Sequence, residues 1–207
     1  RIAFLEPGWL ATVNDTGFVT HTMMGEPTNS EIHNIPWDPV AAEKGNYRHF
    51  MQKEIHEQVR AITDTIGGRI DFRSGKVTLP DLTISKSQAK NIDRIVITAC
   101  GTAAHAGMVG KTLIEELARI PVEVSIASEF RYSNPIVDER TVVLAISQSG
   151  ETADTLGAMT EAHERGATLW SIVNVIGSQA MRMSSGRIPM QAGPEIGVAS
   201  TKAFTTP

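Results

Sequence analysis

The sequence has little of several features that define whole classes of protein. Its 207 residues include one cysteine, Cys100, so no disulfide can form within the chain and a reducing compartment, the cytoplasm, is predicted. No block of lysine or arginine occurs and the net charge is −4, which argues against a nucleic-acid or anionic-membrane surface. The apolar runs have only the length of a strand, too short to span a bilayer, and no signal peptide is predicted at the first residue.

Metal-binding patterns are also missing. The six histidines show no ligand spacing, and His49 and His56 stand nearly two helical turns apart, too far to share a zinc ion without outside ligands. We therefore predict no metal and no cofactor. What the chain does have is an ordinary globular composition, 41% hydrophobic and 20% charged, which is enough to bury a core.

The first half of the chain is irregular. Residues 1–21 are predicted to form short strands separated by turns, and residues 22–46, rich in proline and glycine, to form a linker over a surface. A helix is predicted from Tyr47 to the glycine pair at 67–68, with one apolar stripe. The stripe comprises Ile55, Val59, Ile62 and Ile66.

From residue 92 onward, apolar β-branched runs alternate with amphipathic stretches. This pattern predicts βαβ units, and hence a doubly wound, flavodoxin-like α/β sandwich of three layers with a mostly parallel sheet. Ligands of such folds bind beyond the carboxyl ends of the strands. The predicted elements are a strand at 94–100, a helix at 102–120, strands at 122–127 and 141–147, a helix at 151–166, a strand at 167–174, a short helix at 178–185 and a short strand at 187–191.

The turn that follows the strand at 141–147 is rich in hydrogen-bond donors. Three hydroxyls and one amide fall within six residues, where Gly150 permits a tight bend and a helix is predicted to begin near Glu151. A helix N-terminus favours an anion without a formal cation, so the turn predicts a phosphate site. The alternative is that Ser149 only caps the helix and Thr152 faces solvent. The four donors are Ser147, Gln148, Ser149 and Thr152.

Two other segments resemble this turn in composition. The strand at 94–100 ends at Cys100, bends at Gly101 and leads into a helix from Thr102, while residues 195–204 bring hydroxyls and small residues together. Cys100 is interpreted as a small buried residue, because no activating carboxylate is adjacent to it.

Four motifs, in this order, resemble the sugar-isomerase (SIS) half of the glutamine–fructose-6-phosphate aminotransferase family. They are "ACGTAAHAGMV", "ASEFRY", "ISQSGETADTL" and "EIGVASTKAFTT". In addition, "YRHFMQKEIHEQ" at 47–58 resembles the linker into that family's isomerase domain, and "RIAFLEPGWLATVNDTG" resembles the last hairpins of its glutaminase domain. The resemblance therefore covers essentially the whole chain and implies a SIS-type sandwich preceded by a hairpin remnant.

The resemblance implies a function and a site. Members of the family make glucosamine 6-phosphate and glutamate from fructose 6-phosphate and glutamine, as homodimers. By matching motif, the turn after the strand at 141–147 would hold the phosphate, and Val198, through its backbone, would contact the sugar. Ala103 stands where the family commonly has serine, which removes one potential contact. The implied substrate-binding residues are Cys100, Gly101, Thr102, Ser147, Gln148, Ser149, Thr152, Val198 and Ser200.

The resemblance also implies what this segment does not supply. The family's nucleophilic cysteine and the acid–base groups of its isomerase reaction would lie outside residues 1–207, so no catalytic residue is predicted here and the fragment is expected to be inactive alone. The implied domains are the end of the glutaminase domain with a linker at 1–46, a helical linker at 47–91 and the first SIS subdomain at 92–207. Two alternatives stay open: a non-catalytic phosphosugar-binding regulatory domain, and an α/β assembly domain whose serine turns only cap helices.

Overall fold

The computed structural model describes residues 2–34, 42–82 and 84–207. The chain divides into two compact units, Arg1–Trp37 and Asp38–Pro207. No helix in the described ranges is long and apolar enough to cross a membrane.

The first unit is built of short antiparallel strands, as the turn-rich sequence predicts. β2 and β3 form a hairpin whose turn is closed by the Asn14 side chain, which accepts hydrogen bonds from the backbone N–H groups of Thr16 (3.0 Å) and Gly17 (2.9 Å). The prediction of an irregular linker at 22–46 is wrong for β4 and β5, since both pair with earlier strands. Residues 35–41 of the predicted linker lie outside the described residues. The strands are β1 (Ile2–Ala3), β2 (Trp9–Asn14), β3 (Gly17–Thr22), β4 (Pro27–Thr28) and β5 (Ile32–His33).

The second unit begins with the helix α1 (Phe50–Ile66), which starts three residues later than predicted and ends at Gly67 as predicted. A small hairpin, β6 (Ile70–Asp71) and β7 (Lys76–Val77), and the short helix α2 (Lys86–Lys90) follow. The predicted apolar stripe of α1 is not the face that the helix buries. The residues of α1 that are buried are Glu54, Ala61 and Thr65, whereas Ile55, Val59 and Ile62 are exposed.

The core of the second unit is a five-stranded, fully parallel sheet. Its strand order is β12-β11-β10-β8-β9, so the order reverses between β8 and β10. This confirms the predicted flavodoxin-like, doubly wound architecture. The strands are β8 (Arg94–Ala99), β9 (Val122–Ile126), β10 (Thr141–Ser147), β11 (Thr168–Val173) and β12 (Gly186–Pro189).

Helices cover both faces of this sheet. One face packs against α3, whose Ala104 lies in a cluster with Ile97 and Leu144, and the other packs against α5 and its neighbours, where Met159 is fully buried. Burial on both faces explains why the central strands are continuously apolar rather than alternating. The helices are α3 (Thr102–Leu117), α4 (Ala127–Tyr132), α5 (Ala153–Glu164), α6 (Gln179–Met183) and α7 (Lys202–Thr205); α4 was not predicted.

Candidate ligand-binding site

A cavity of about 390 Å³ opens at the carboxyl end of the parallel sheet. It lies beyond β8 and β10, the two neighbours between which the strand order reverses, which is where open α/β sheets bind ligands. All nine residues predicted to form the site line this cavity, namely Cys100, Gly101, Thr102, Ser147, Gln148, Ser149, Thr152, Val198 and Ser200.

The turn after β10 is held by its own hydroxyls. The Ser147 hydroxyl oxygen accepts a hydrogen bond from the backbone N–H of Gly150 (3.0 Å), and the Ser149 hydroxyl oxygen accepts one from the N–H of Glu151 (3.1 Å). A hydroxyl that accepts through its oxygen still has its own proton to donate. The Ser147 hydroxyl also lies 3.4 Å from the hydroxyl of Thr152, and either of the two can donate to the other. The turn therefore fixes both serine oxygens in place and leaves the proton of Ser149 available to an acceptor in the cavity.

The alternative in which Ser149 caps the helix after β10 is wrong, because another residue is the N-cap. Helix α5 begins at Ala153, two residues later than predicted, and its N-cap is Thr152 rather than Ser149. No side chain in the described part of the chain accepts the hydrogen bonds of this N-terminus, and Thr152 is half-buried at the cavity wall. The first N–H groups of α5 thus retain their partial positive charge beside the cavity.

The second wall comes from the turn after β8. Helix α3 begins at Thr102 with Gly101 as its N-cap, as predicted, and no side chain among the described residues caps it. Cys100 is half-buried at the cavity edge, with its sulfur 3.9 Å from the hydroxyl of Thr155. Ala103 also lines the cavity, so the hydroxyl that a serine would place there is absent. Two helix N-termini therefore flank one cavity.

The third wall is the segment between β12 and α7. Its Val198 is fully exposed, while the Ser200 hydroxyl donates to a carboxylate oxygen of Glu195 at 2.8 Å. The other oxygen of Glu195 accepts hydrogen bonds from the backbone N–H groups of Thr201 (2.9 Å) and Ala203 (3.2 Å). This carboxylate therefore orders the wall as well as lining the cavity.

Sequence reasoning missed Glu195 and Thr155 as cavity residues. Glu195 stands in a motif that was singled out for its hydroxyls, but its inward position depends on how the segment folds back onto α7. Thr155 lies one helical turn beyond Ser149–Thr152, and helical spacing could have indicated that it faces the same way. Conversely, Lys202 of the same motif is buried away from the cavity, with its ammonium 2.8 Å from a carboxylate oxygen of Glu57.

The charge distribution of the cavity is uneven. None of the described residues that line it is lysine or arginine, and its titratable side chains are those of Cys100 and Glu195. Positive potential comes from the helix N-termini of the first and second walls, and the single formal negative charge, that of Glu195, belongs to the third wall. Such an arrangement accommodates a molecule with an anionic group at one end and neutral hydroxyls at the other.

Comparison with known proteins agrees with this geometry. A family model described as SIS domain matches residues 89–207. The chain belongs to the SIS domain family. The match contains all five parallel strands and all three walls of the cavity, so the SIS domain of this chain includes the whole predicted site.

The similarity of this chain to known proteins extends beyond the SIS domain at 89–207. The glutamine–fructose-6-phosphate aminotransferase (isomerizing) of Symbiobacterium thermophilum is 49% identical over 206 residues, which is 100% of this chain and 34% of that protein. The enzyme of the same name from Clostridium tetani is 55% identical over 183 residues, 88% of this chain and 30% of that protein. The resemblance drawn from the motifs is thereby confirmed, and the chain spans about a third of the length of these relatives.

A solved structure also shares the SIS fold. The C-terminal domain of glucosamine-fructose-6-phosphate aminotransferase from Francisella tularensis superposes with a TM-score of 0.72 at 42% sequence identity, covering 80% of this chain and 46% of that one. The SIS-type α/β sandwich predicted from the sequence is thereby confirmed.

Proposed function

We propose that this chain is the sugar-phosphate-binding segment of a glutamine–fructose-6-phosphate aminotransferase, with fructose 6-phosphate and glucosamine 6-phosphate as its ligands. The observation that carries the proposal is the convergence of two uncapped helix N-termini and the hydroxyls of Ser147, Ser149 and Thr152 on one cavity. Neutral donors and helix dipoles hold a phosphate ester by direct hydrogen bonds. The family membership and the named relatives supply the substrate class.

The polarity of the cavity sets the orientation of the ligand. The phosphate lies against the turn after β10, where the donors are concentrated, because the carboxylate of Glu195 would repel it at the third wall. The sugar hydroxyls lie toward Val198 and Ser200, where the backbone offers acceptors. The Glu195 carboxylate already accepts hydrogen bonds from four donors, which suits a structural role better than proton transfer, and we place the acid–base groups of the reaction outside this segment.

The remaining assignments follow from the same relatives. We assign residues 1–46 to the end of a glutaminase domain with its linker, 47–91 to a helical linker and 92–207 to the first SIS subdomain. The similarity over the full chain supports this, because an isolated phosphosugar-binding regulatory module has no need of the hairpins and linker at 1–58. The partners are the glutaminase domain and second SIS subdomain of the same enzyme in a cytoplasmic homodimer.

Titration calorimetry with the purified chain tests the ligand. Fructose 6-phosphate and glucosamine 6-phosphate are expected to bind, whereas fructose, which lacks the charged group, is expected to bind far more weakly. Absence of heat and of a thermal shift with either phosphosugar would count against the site and in favour of a plain assembly domain.

A double variant tests the residues. Ser149→Ala with Thr152→Ala should weaken binding of fructose 6-phosphate at least about a hundredfold, because each of the two lost hydrogen bonds to a charged group costs about 1.5–3 kcal/mol. Thr160→Ala is the control: it removes a hydroxyl from the same helix, where it donates to the backbone oxygen of Leu156 at 3.1 Å on an exposed surface. Equal affinity in the double variant and the control would contradict the assignment.

A test of the proposed enzymatic activity requires the other domains of the aminotransferase, because this segment supplies no catalytic residue. Replacing the matching third of the Symbiobacterium thermophilum aminotransferase with residues 1–207 should give a chimera that forms glucosamine 6-phosphate from fructose 6-phosphate and glutamine. A folded chimera that binds fructose 6-phosphate but makes no glucosamine 6-phosphate would instead favour the regulatory alternative.

A further inference from the structure

Helix α1 holds the third wall of the cavity through a buried carboxylate. Glu54 is 2% exposed, and one of its oxygens accepts hydrogen bonds from the backbone N–H groups of Ile196 (2.6 Å) and Gly197 (3.1 Å). A side chain at Gly197 would collide with this group, because an added Cβ would lie 2.5 Å from the second carboxylate oxygen. The backbone at 196–197 therefore approaches Glu54 as closely as only glycine permits.

A second contact between α1 and the wall lies one helical turn further along the helix. The ammonium of Lys202, whose side chain is 3% exposed, lies 2.8 Å from a carboxylate oxygen of Glu57, and Lys53 approaches the other oxygen at 3.2 Å. Lys202 is the first residue of α7, directly after the cavity wall. Two acids of one helix thus hold the wall, Glu54 at 196–197 and Glu57 at Lys202, where the wall meets α7.

The same face of α1 continues these contacts. Ala61 packs in a small buried cluster with Ala192 and Ala203, and the hydroxyl of Thr65 accepts a hydrogen bond from the backbone N–H of Gln191 at 3.1 Å. Helical spacing places positions 54, 57, 61 and 65 on one side of α1. This side, rather than the apolar one, is what α1 presents to the segment 191–203.

These contacts explain how an exposed wall stays ordered. Val198 is fully exposed and Ile196 is 49% exposed, so burial of their side chains contributes little to fixing the wall. Buried carboxylates are costly unless hydrogen bonds satisfy them, so Glu54 strongly favours the conformation in which the two N–H groups point at it. The wall is therefore ordered from outside residues 89–207, the part of the chain that matches the SIS family model.

We propose that Glu54 and Glu57 are positioning residues for the sugar-phosphate site. They act through residues 195–202 and do not touch the ligand themselves. The proposal rests on the proposed function, because the wall matters for binding only if the cavity takes a phosphosugar. It assigns part of the binding affinity to the helix that precedes the SIS domain.

Calorimetry on the full 207-residue chain tests the inference. Glu54→Ala should weaken binding of fructose 6-phosphate about tenfold, because a loosened wall must be ordered when the ligand binds. Glu54→Gln should restore most of the affinity, since its single carbonyl oxygen can accept both N–H groups. This rescue by an uncharged acceptor distinguishes positioning of the wall from a loss of negative charge.

Glu115→Ala is the matched control. Glu115 also accepts a hydrogen bond from a backbone N–H, that of Val122 (3.0 Å), but far along α3 from the cavity. Its removal should lower stability and leave the affinity for fructose 6-phosphate unchanged. A folded Glu54→Ala variant that binds as tightly as the Glu115→Ala control would overturn the inference, and Glu57→Gln repeats the test if Glu54→Ala does not fold.

Hydrogen exchange without ligand separates this inference from the proposed function. Amide protons at 196–200 should exchange faster in Glu54→Ala than in the wild-type chain, with Glu54→Gln close to wild type. If the wild-type chain binds no phosphosugar but the exchange rates change as expected, the proposed function fails and the ordering of the wall stands. Unchanged exchange at 196–200 would overturn the ordering itself.

Discussion

Gly150 lies at the point where the donor-rich turn passes over the helix α6. Its φ is +67°, a conformation that favours glycine, and an added Cβ would lie 2.1 Å from the hydroxyl oxygen and 2.5 Å from the Cβ of Ser178. Ser178 is fully buried, so it has no room to retreat. The turn therefore requires glycine at position 150 for two reasons: the positive φ angle, and the lack of space for a Cβ next to Ser178.

Two alanine substitutions separate these requirements. Gly166→Ala meets the same kind of backbone strain, φ +88°, but its nearest neighbour would be 3.9 Å away. It should cost about 1–2 kcal/mol of unfolding free energy, whereas Gly150→Ala should cost a further 1–3 kcal/mol or so from overpacking. Urea unfolding of the two variants measures the difference, and equal losses would mean that the contact with Ser178 relaxes freely.

At the scale of single elements, α1 shows that hydrophobic periodicity predicts an amphipathic helix without deciding which face is buried. Its apolar stripe at helical spacing predicts a buried face, yet Val59 is 76% exposed and the buried face carries Glu54 and Thr65. The pattern identifies an amphipathic helix correctly, but the choice of face depends on the surface that the helix meets. That surface, 191–203, offers backbone N–H groups and small residues, which suit an acid, a hydroxyl and an alanine.

Enlarging one residue on each face of α1 tests this orientation. Ala61→Leu should destabilise the second unit by about 1–3 kcal/mol, because Ala61 is 3% exposed against Ala192 and Ala203. Val59→Leu, on the exposed face, should change the unfolding free energy by no more than about 0.5 kcal/mol. Chemical denaturation compares them, and the opposite ranking would show that the apolar face is the one that packs.

The strands and the first two walls of the site could be predicted from the sequence because their signals are local. A continuous apolar run followed by glycine and hydroxyls specifies a buried parallel strand and the turn after it, as at 94–102 and 141–152. The position of Glu195 could not be predicted, since it depends on hydrogen bonds across the segment to Thr201 and Ala203. The hydrogen bond between Glu54 and the backbone of Ile196 joins residues more than 140 positions apart in the sequence, so no local sequence pattern predicts it.

At the scale of the whole molecule, the cavity exists only when the entire second unit is folded. Its walls come from three separate parts of the sequence, and the third wall is held by a fourth, α1. Ligand affinity and unfolding free energy are therefore coupled, because a ligand that binds only the folded chain stabilises it. Fructose 6-phosphate at a hundred times its Kd should add about 2.7 kcal/mol to the unfolding free energy of the second unit.

This coupling can be measured directly. In urea unfolding, saturating fructose 6-phosphate should shift the midpoint of the transition followed by helical circular dichroism, because the helices of the described residues lie in the second unit. The same titration on the Ser149→Ala, Thr152→Ala variant should show a much smaller shift at equal ligand concentration. An equal shift in both chains would place the ligand elsewhere.

The pH dependence of stability is a whole-molecule property to which Glu57 contributes with a definite sign. Burial alone would raise the pKa of Glu57, but the hydrogen bonds and positive charges of Lys202 and Lys53 outweigh it and hold the pKa below its ordinary value. An acid whose pKa is lower in the folded state binds more protons when unfolded. Its stabilising contribution is therefore complete above the ordinary glutamate pKa of about 4.3 and is lost as the pH falls through the lower folded value.

A neutral substitution makes this contribution visible. Glu57→Gln should be less stable than the wild-type chain at neutral pH, and the difference should shrink in acid as the pH falls through the lowered pKa of folded Glu57, where the wild-type carboxyl also loses its charge. Glu164→Gln, at an exposed position on α5, should change little at either pH. Urea unfolding at both pH values supplies the comparison, and a gap that widened in acid would mean that Glu57 is destabilising as a carboxylate. Because the same ion pair fixes the end of the cavity wall, affinity for fructose 6-phosphate should fall together with stability in Glu57→Gln at neutral pH.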